Sequence, residues 1–361
     1  MDIVKQLELE FSLKPWQAEN TVKLIDDGNT IPFIARYRKE ATGSLDDQLL
    51  RELNDRLNYL RSLEEQKEKI IASITEQEKM TDDIAKSIEN AKTMTELEDI
   101  YRPFRPKRKT RASVAKALGL EPLAEAIYAQ EKGTPAPEIL AEDYLTDEVP
   151  DIESALQGAK DIIAELVSDD PNGRKLIRYA VHNNGMLTSK GADDDLGVYE
   201  MYKEYSEPVK SIAGHRVLAV NRGEKEGKLK VAIEFDKTIA TDLLFNIHCK
   251  NNTKATDLVI EAVEDSFSRL IFPSIEREIR NELTDNACEA SIKVFGENTR
   301  QLLMQPPVKG NVTIGLDPGY RTGCKVAVIS ETGKVLDTAA ALQVEAQTRR
   351  ISTAKILQKT A

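Results

Sequence analysis

The spacing of apolar residues divides the chain into many short helical stretches followed by a β-rich end. Ile3, Leu7 and Phe11 share one face of Asp2 to Ser12, and Pro15 opens a second helix through Val22 and Ile25 that stops at Gly28. In residues 30–47 an apolar trio, Ile31, Phe33 and Ile34, precedes a basic tip of Arg36, Arg38 and Lys39. Ser44, three residues before Asp47, has the form of a helix-capping pair. A long helix follows, because Leu49, Leu53, Leu57, Leu60, Leu63, Ile70 and Ile74 keep helical spacing. Its charged middle, EEQKEK, reads as a solvent-facing segment, and no sustained heptad predicts a coiled coil. Thr81 opens a short helix, and Thr93, with Glu96 three positions on, opens another. Pro122 suits a first helical turn, and Gly133, Pro135 and Pro137 mark a connector. Asp151 to Ser168 is helical, and Asp170-Pro171 starts a helix that ends near Gly185.

Two β-type runs then predict a hairpin, Arg216 to Val220 and Leu229 to Phe235, joined by the charged turn RGEKEG. From Asp236 to Met304 the pattern is helical, with a long spine over Ala255 to Met304 that Pro273 must kink or break. Pro306-Pro307 reads as a stiff linker. Three β-type runs close the pattern: Val312 to Leu316, Lys325 to Ile329 and Val335 to Leu342. Asp317 stands at the end of the first, Pro318 and Gly319 break that strand, and Gly323 and Gly333 provide turns, so an antiparallel meander is predicted. Residues 344–359, with Val344, Ile351 and Leu357, read as a helix. The fold class is mostly α and multidomain: a helical region over 1–205, the hairpin and spine over 206–305, and an α/β portion over 310–361.

Composition narrows the class. The chain has 361 residues, 40% apolar and 31% charged, which is ordinary for a helix-rich soluble protein. No run approaches the roughly 18 apolar residues of a membrane span, and the acidic N-terminus lacks the order of a signal peptide. A cytoplasmic protein, with no membrane partner, is expected. Cys249, Cys288 and Cys324, like His182, His215 and His248, are scattered, so neither a disulfide framework nor a zinc site is suggested. The run Asp193-Asp194-Asp195 lacks the alternating ligands of a Ca²⁺ loop and reads as solvated.

A net charge of −11 opposes nucleic-acid binding by the surface as a whole, so local clusters must carry any such role. The densest is IYRPFRPKRKTRASVAKALGL, with Arg102, Arg105, Lys107, Arg108, Lys109, Arg111 and Lys116 beside Tyr101 and Phe104. Pro103 and Pro106 predict an extended backbone. Cations and aromatics on a stiff strand suit phosphates and bases. They equally suit a connector whose arginines pair with this protein's own carboxylates.

Strand, Asp317, glycine turn, strand, turn, strand and helix together resemble the opening of an RNase H-like domain, and GLDPGYRTG resembles its YqgF branch. That resemblance implies that Asp317 is a Mg²⁺ ligand; the alternative is an aspartate that simply ends a strand. Further carboxylates would come from later strands, and the sequence stops at Ala361 before them. TIPFIARYRKEATGSLD, LEDIYRPFRPKRKTRA, GLEPLA and RLIFPSIEREIR, followed by GLDPGYRTGCK, resemble in order the blocks of the Tex family of bacterial transcription accessory proteins. The resemblance implies a cytoplasmic nucleic-acid-binding protein. Its parts would be a helical region with a helix-turn-helix-like portion, a YqgF domain, helix-hairpin-helix motifs and an S1 domain, the last two expected to lie outside this chain. The implied function is transcription support by binding or scaffolding, without a cofactor and without catalysis. Arg36, Arg38, Lys39, the connector cations Arg102, Arg105, Lys107, Arg108, Lys109 and Arg111, and Arg321 are the candidate contacts to RNA or DNA, and RNA polymerase or another transcription protein is the candidate protein partner. A Mg²⁺-dependent nuclease or resolvase using Asp317 is the second reading. A protein-docking module of the transcription machinery is the third.

Overall fold

In a computed structural model the chain is described over residues 2–106, 109–306, 310–319 and 323–341. It divides into two units, Met1–Cys288 and Glu289–Ala361. The anticipated helix over 344–359, with Val344, Ile351 and Leu357, lies outside the described residues, as do Pro307 of the linker and Leu342.

The first unit opens with α1 (Ile3–Phe11), α2 (Pro15–Asp26), α3 (Ile31–Tyr37) and α4 (Lys39–Thr42), all read against α5 (Asp47–Glu76). Asp2 caps α1 by accepting from the Lys5 N–H. The predicted stripe on α5 is buried from Leu53 to Ile74, while at its start Leu50 is buried and the predicted Leu49 only half-buried. Leu53, Leu57 and Leu60 pack with Leu7 and Val22, whereas Leu63, Ile70 and Ile74 pack with Ile88 and Leu97. Those last two belong to α6 (Asp82–Asn90) and α7 (Met94–Tyr101), capped by Thr81 and Thr93 as read from the sequence. One helix thus lends successive turns to two small cores, and a fully buried leucine contributes about 1.5–3 kcal/mol at each.

Two local expectations fail here. The cap of α5 is Asp46, which accepts from the Leu49 N–H at 2.8 Å, while Ser44 lies in a left-handed turn at φ 63°. The EEQKEK segment is not wholly solvent-facing either. Lys67 is 5% exposed, pairs with Glu64 at 2.9 Å and donates to the Glu89 carbonyl at 2.9 Å. A side chain with a long apolar stem can bury that stem when its ammonium finds acceptors.

The larger core joins α8 (Arg111–Ala117), α9 (Glu121–Ala129), α10 (Pro137–Ala141), α11 (Ile152–Asp169) and α12 (Pro171–Asn184). The caps Asp151 and Asp170 and the prolines at 122 and 171 stand where the sequence placed them, whereas Pro137, read as part of a connector, opens α10. Beside them lies an antiparallel sheet of β1 (Met186–Gly191), β2 (Glu204–Pro208) and β3 (Leu229–Glu234), in the order β2-β1-β3.

The predicted hairpin of Arg216 to Val220 with Leu229 to Phe235 is therefore corrected. Its second run is β3, but its first belongs to α13 (Gly214–Lys225). Val217, Val220 and Gly223 are buried at helical spacing, and Gly223 admits Leu229, whose Cδ1 would lie 2.6 Å from a Cβ there. The partner of β3 is β1, whose buried Thr188 and Ser189 donate to the Ala232 and Tyr202 carbonyls.

After α14 (Lys237–His248) comes the spine, as α15 (Lys254–Asp265) and α16 (Phe272–Leu303). Pro273 does not break it. A wide π turn over Ser266–Ile271 joins the two, with the Phe272 N–H donating to the carbonyl of Phe267, five residues back. The wider turn accommodates the proline ring and its missing donor without a chain reversal.

In the second unit β4 (Thr313–Gly319), β5 (Gly323–Ile329) and β6 (Val335–Ala341) form the anticipated meander, in the order β4-β5-β6. Pro318 and Gly319 do not end the first strand, because the pairing runs on to Gly319 opposite Gly323. Proline is tolerated on an edge strand, where its missing donor need not belong to the paired side. Val312, Ile314 and Leu316 are exposed.

Candidate nucleic-acid interface

The basic tip is built by a tight return of the chain. Thr30 precedes α3, Pro32 occupies its first turn, and Ile34 anchors it in the interior. The following turn, α4, is held to α2 by side-chain amides. Gln17 donates to the Thr42 carbonyl and Asn20 to the Ala41 carbonyl, each at 3.0 Å. Gly43 then leaves the helix at φ 68°. This frame leaves Arg36, Tyr37, Arg38 and Lys39 exposed, Tyr37 by 65%. The Arg38 guanidinium lies 5.0 Å from the Phe33 ring centroid, and that ring is 5.3 Å from Tyr37. Among the described residues no carboxylate pairs with Arg36, Arg38 or Lys39.

The connector is arranged differently. Arg102 to Phe104 form a 3-10 turn, so Pro103 lies within a helical turn and the extended reading fails there. Arg102 pairs with Asp169 at 3.4 Å and Arg105 with Glu98 at 3.6 Å. Lys116 pairs with Glu121 at 2.7 Å. Burial, and then the positive charge of Arg174, hold Arg102 below the ordinary arginine range. Lys109 and Arg111 are exposed, and Thr110 between them caps α8 while donating to Glu165 at 3.1 Å. Lys107, Arg108 and Arg321 lie outside the described residues.

Behind the connector is a buried ionic network that the sequence reading did not single out. Arg174 donates from Nε to Asp99 Oδ1 at 2.6 Å, with side-chain exposures of 3% and 8%. Arg178 donates to the other Asp99 oxygen at 2.8 Å and to Glu278 at 2.6 Å. Burial would lower Arg178, but the carboxylates of Glu278 and Asp99 outweigh it and hold the group above its ordinary value. The arginines' i,i+4 spacing on α12 was the available signal. Nothing local marked their partners, which come from 75 to 100 residues away.

Asp317 lies on β4, exposed and in register with Lys325. Among the described residues no group of three His, Cys, Asp or Glu is placed to hold a metal ion. One carboxylate supplies too few oxygen ligands to hold Mg²⁺ by itself. Asp193 pairs with Lys228 at 2.7 Å on the surface. No helix among the described residues is long and apolar enough to cross a membrane.

Comparison with known proteins places these elements. Residues 1–75 match the Tex-like protein N-terminal domain, 132–295 the Tex central region, and 311–361 the Tex protein YqgF-like domain. The uncharacterized protein YdcI of Bacillus subtilis is 47% identical over 341 residues, 92% of this chain and 47% of its own length. The transcriptional accessory protein Tex of Neisseria gonorrhoeae is 39% identical over 347 residues, 94% of this chain and 46% of its own. Human S1 RNA-binding domain-containing protein 1 is 33% identical over 360 residues, 93% of this chain and 35% of its own. The chain spans about half the length of the bacterial relatives. With the Tex models matching in order from the N-terminal helices to the β4–β6 meander, the chain belongs to the Tex family of transcription accessory proteins.

Proposed function

We propose that the chain supports transcription by binding nucleic acid as a scaffold, without a cofactor and without catalysis, in the cytoplasm. The observation that supports this reading is the α3–α4 tip. Three exposed cations there have no carboxylate partner among the described residues, and Tyr37 beside them offers an exposed ring. Unpaired cations neutralise phosphates, and an exposed aromatic ring stacks on a base. In the connector the same chemistry is partly taken up by Asp169 and Glu98. The tip is therefore the principal contact, with Lys109 and Arg111 as secondary ones.

Labelled single- and double-stranded RNA and DNA, titrated across a salt series, test the reading. Affinity is expected near the non-specific range of about 10⁻⁴–10⁻⁶ M. Replacing Arg36, Arg38 and Lys39 by Ala should reduce the slope of log affinity against log salt by about 2–3. An unchanged slope removes the tip from the interface. Absence of binding at low salt favours a protein-docking role, and Mg²⁺-dependent cleavage abolished by Asp317→Asn favours the nuclease reading.

A further inference from the structure

The connection from β1 to β2 carries a short 3-10 turn, Gly197–Tyr202, whose apolar residues point in two directions. Leu196, Tyr199 and Tyr202 are buried in the larger core, whereas Val198 and Met201 are 84% and 74% exposed. A 3-10 helix repeats every three residues, so Val198 and Met201 stand one above the other on a single outer edge. Both ends of the turn are fixed. Lys228 donates to the Asp195 carbonyl and to the Asp193 carboxylate, each at 2.7 Å, and the Asp195 side chain accepts from the Gly197 N–H. At the other end Ser189 donates to the Tyr202 carbonyl, and the Gly191 N–H donates to the Lys203 carbonyl. Single exposed apolar residues are ordinary on a protein surface, but an eclipsed pair on an anchored backbone is not explained by the packing beneath it.

The surroundings are acidic. Residues 191–204 hold five exposed carboxylates, Asp193, Asp194, Asp195, Glu200 and Glu204, against Lys203 alone. Lys228 takes up Asp193 and Lys203 reaches Glu200 at 3.7 Å, which leaves Asp194, Asp195 and Glu204 without an ion pair among the described residues.

We infer that Val198 and Met201 dock into an apolar pocket on a partner protein whose rim carries lysine or arginine. The carboxylates disfavour nucleic acid here, since a phosphate chain would meet like charge at close range. They steer a basic rim toward the turn, and burial of the apolar pair then holds it. Methionine suits such a contact, because its unbranched, polarisable side chain adapts to the shape it enters and is enriched at interfaces. The anchored backbone lowers the ordering cost of association. This surface is distinct from the α3–α4 tip, and its failure leaves the proposed nucleic-acid contact untouched.

Benzoylphenylalanine at position 200 of the full chain, between the two anchors, photolysed in the cells that express it, tests the surface. A covalent adduct with another protein is expected. That protein, once purified, should bind the wild-type chain saturably, and more weakly as salt rises. Met201→Glu should weaken binding about tenfold or more, Val198→Ser less, and Met201→Leu should preserve it. Because position 201 is exposed, Met201→Glu should keep the wild-type melting profile, and it should leave binding of RNA and DNA unchanged. No protein adduct beyond that formed from the exposed position of Lys230, or an adduct only with nucleic acid or with a second copy of this chain, overturns the inference. So does a purified partner that binds Met201→Glu as tightly as wild type, or one whose affinity ignores salt.

Discussion

The tip at Arg36–Lys39 and the connector at 102–111 draw on the same residue types, yet the fold treats them in opposite ways. At the tip the backbone is pinned by Gln17 and Asn20 through main-chain carbonyls, and the one charged side chain in the turn's own contacts, Arg38, reaches the Tyr37 carbonyl and the Phe33 ring, not a carboxylate. In the connector the charges themselves reach carboxylates, Arg102 to Asp169 and Arg105 to Glu98. Behind them Asp99, Arg174, Arg178 and Glu278 bind three helices together. A density of cations in sequence therefore measures potential for contact. Which cations remain available is decided by what else holds the backbone in place.

The contrast can be broken most forcefully at Asp99. Asp99→Ala leaves two largely buried arginines short of an acceptor, and should destabilise the first unit by about 3–5 kcal/mol. Denaturant unfolding checks this, and a loss under about 1 kcal/mol would show that the network relaxes into solvent. A smaller loss is expected at the tip from Gly43→Ala. The residue sits at φ 68°, and a new Cβ would lie 2.5 Å from Gln17 Nε2 and 2.9 Å from the Trp16 ring. The backbone conformation alone costs about 1–2 kcal/mol, with a flexible Gln17 able to yield. Melting curves should report that loss together with weaker nucleic-acid binding. Arg105→Ala should change stability by less than about 1 kcal/mol, because both partners of its pair are exposed. If Arg105→Ala flattens the salt dependence as much as a tip substitution does, the distinction between the two regions fails.

The gentlest test uses His248, buried beside the connector's helices. Tyr128 Oη lies 2.8 Å from its Nδ1 and Asp170 Oδ2 lies 3.6 Å from its Nε2. Burial holds the imidazole below the ordinary histidine range, with the Asp170 carboxylate opposing and Lys250 assisting. The unfolded chain gains a proton below about pH 6.5 that the folded chain resists. Stability should thus be full above that pH and fall as pH drops toward the depressed folded value, no more steeply than one proton allows. His248→Gln should flatten the decline between pH 7 and 5, and an unaltered decline would assign it to other groups.

Much of the helical frame was legible because its signals are local. Asp2, Thr81, Thr93, Asp151 and Asp170 each cap the helix that follows, and the α5 leucines announce one buried stripe. What failed depends on distant partners. Strand β1 carries Thr188 and Ser189 in the interior, satisfied by carbonyls elsewhere, so no apolar alternation marked it. The run RVLAV has the residues of a strand, and its helical burial follows from packing against Leu229. The site divides in the same way. Arg36, Arg38 and Lys39 could be named from composition, whereas Arg174 and Arg178 acquire meaning only when α7, α12 and α16 meet.

The π turn ahead of Pro273 has a further consequence, because it fixes the angular phase of everything that follows on the first unit's last helix. An α-helix advances about 100° per residue, so deleting one residue within 266–271 would rotate Ile275 and Ile279 away from the core by that angle. Charged neighbours would turn inward in their place, and Glu278 would leave Arg178. Insertions and deletions are usually tolerated where loops join elements. Here a six-residue stretch inside a continuous helix should tolerate neither, and its buried Ser266, Phe267 and Ile271 restrict its side chains as well as its length.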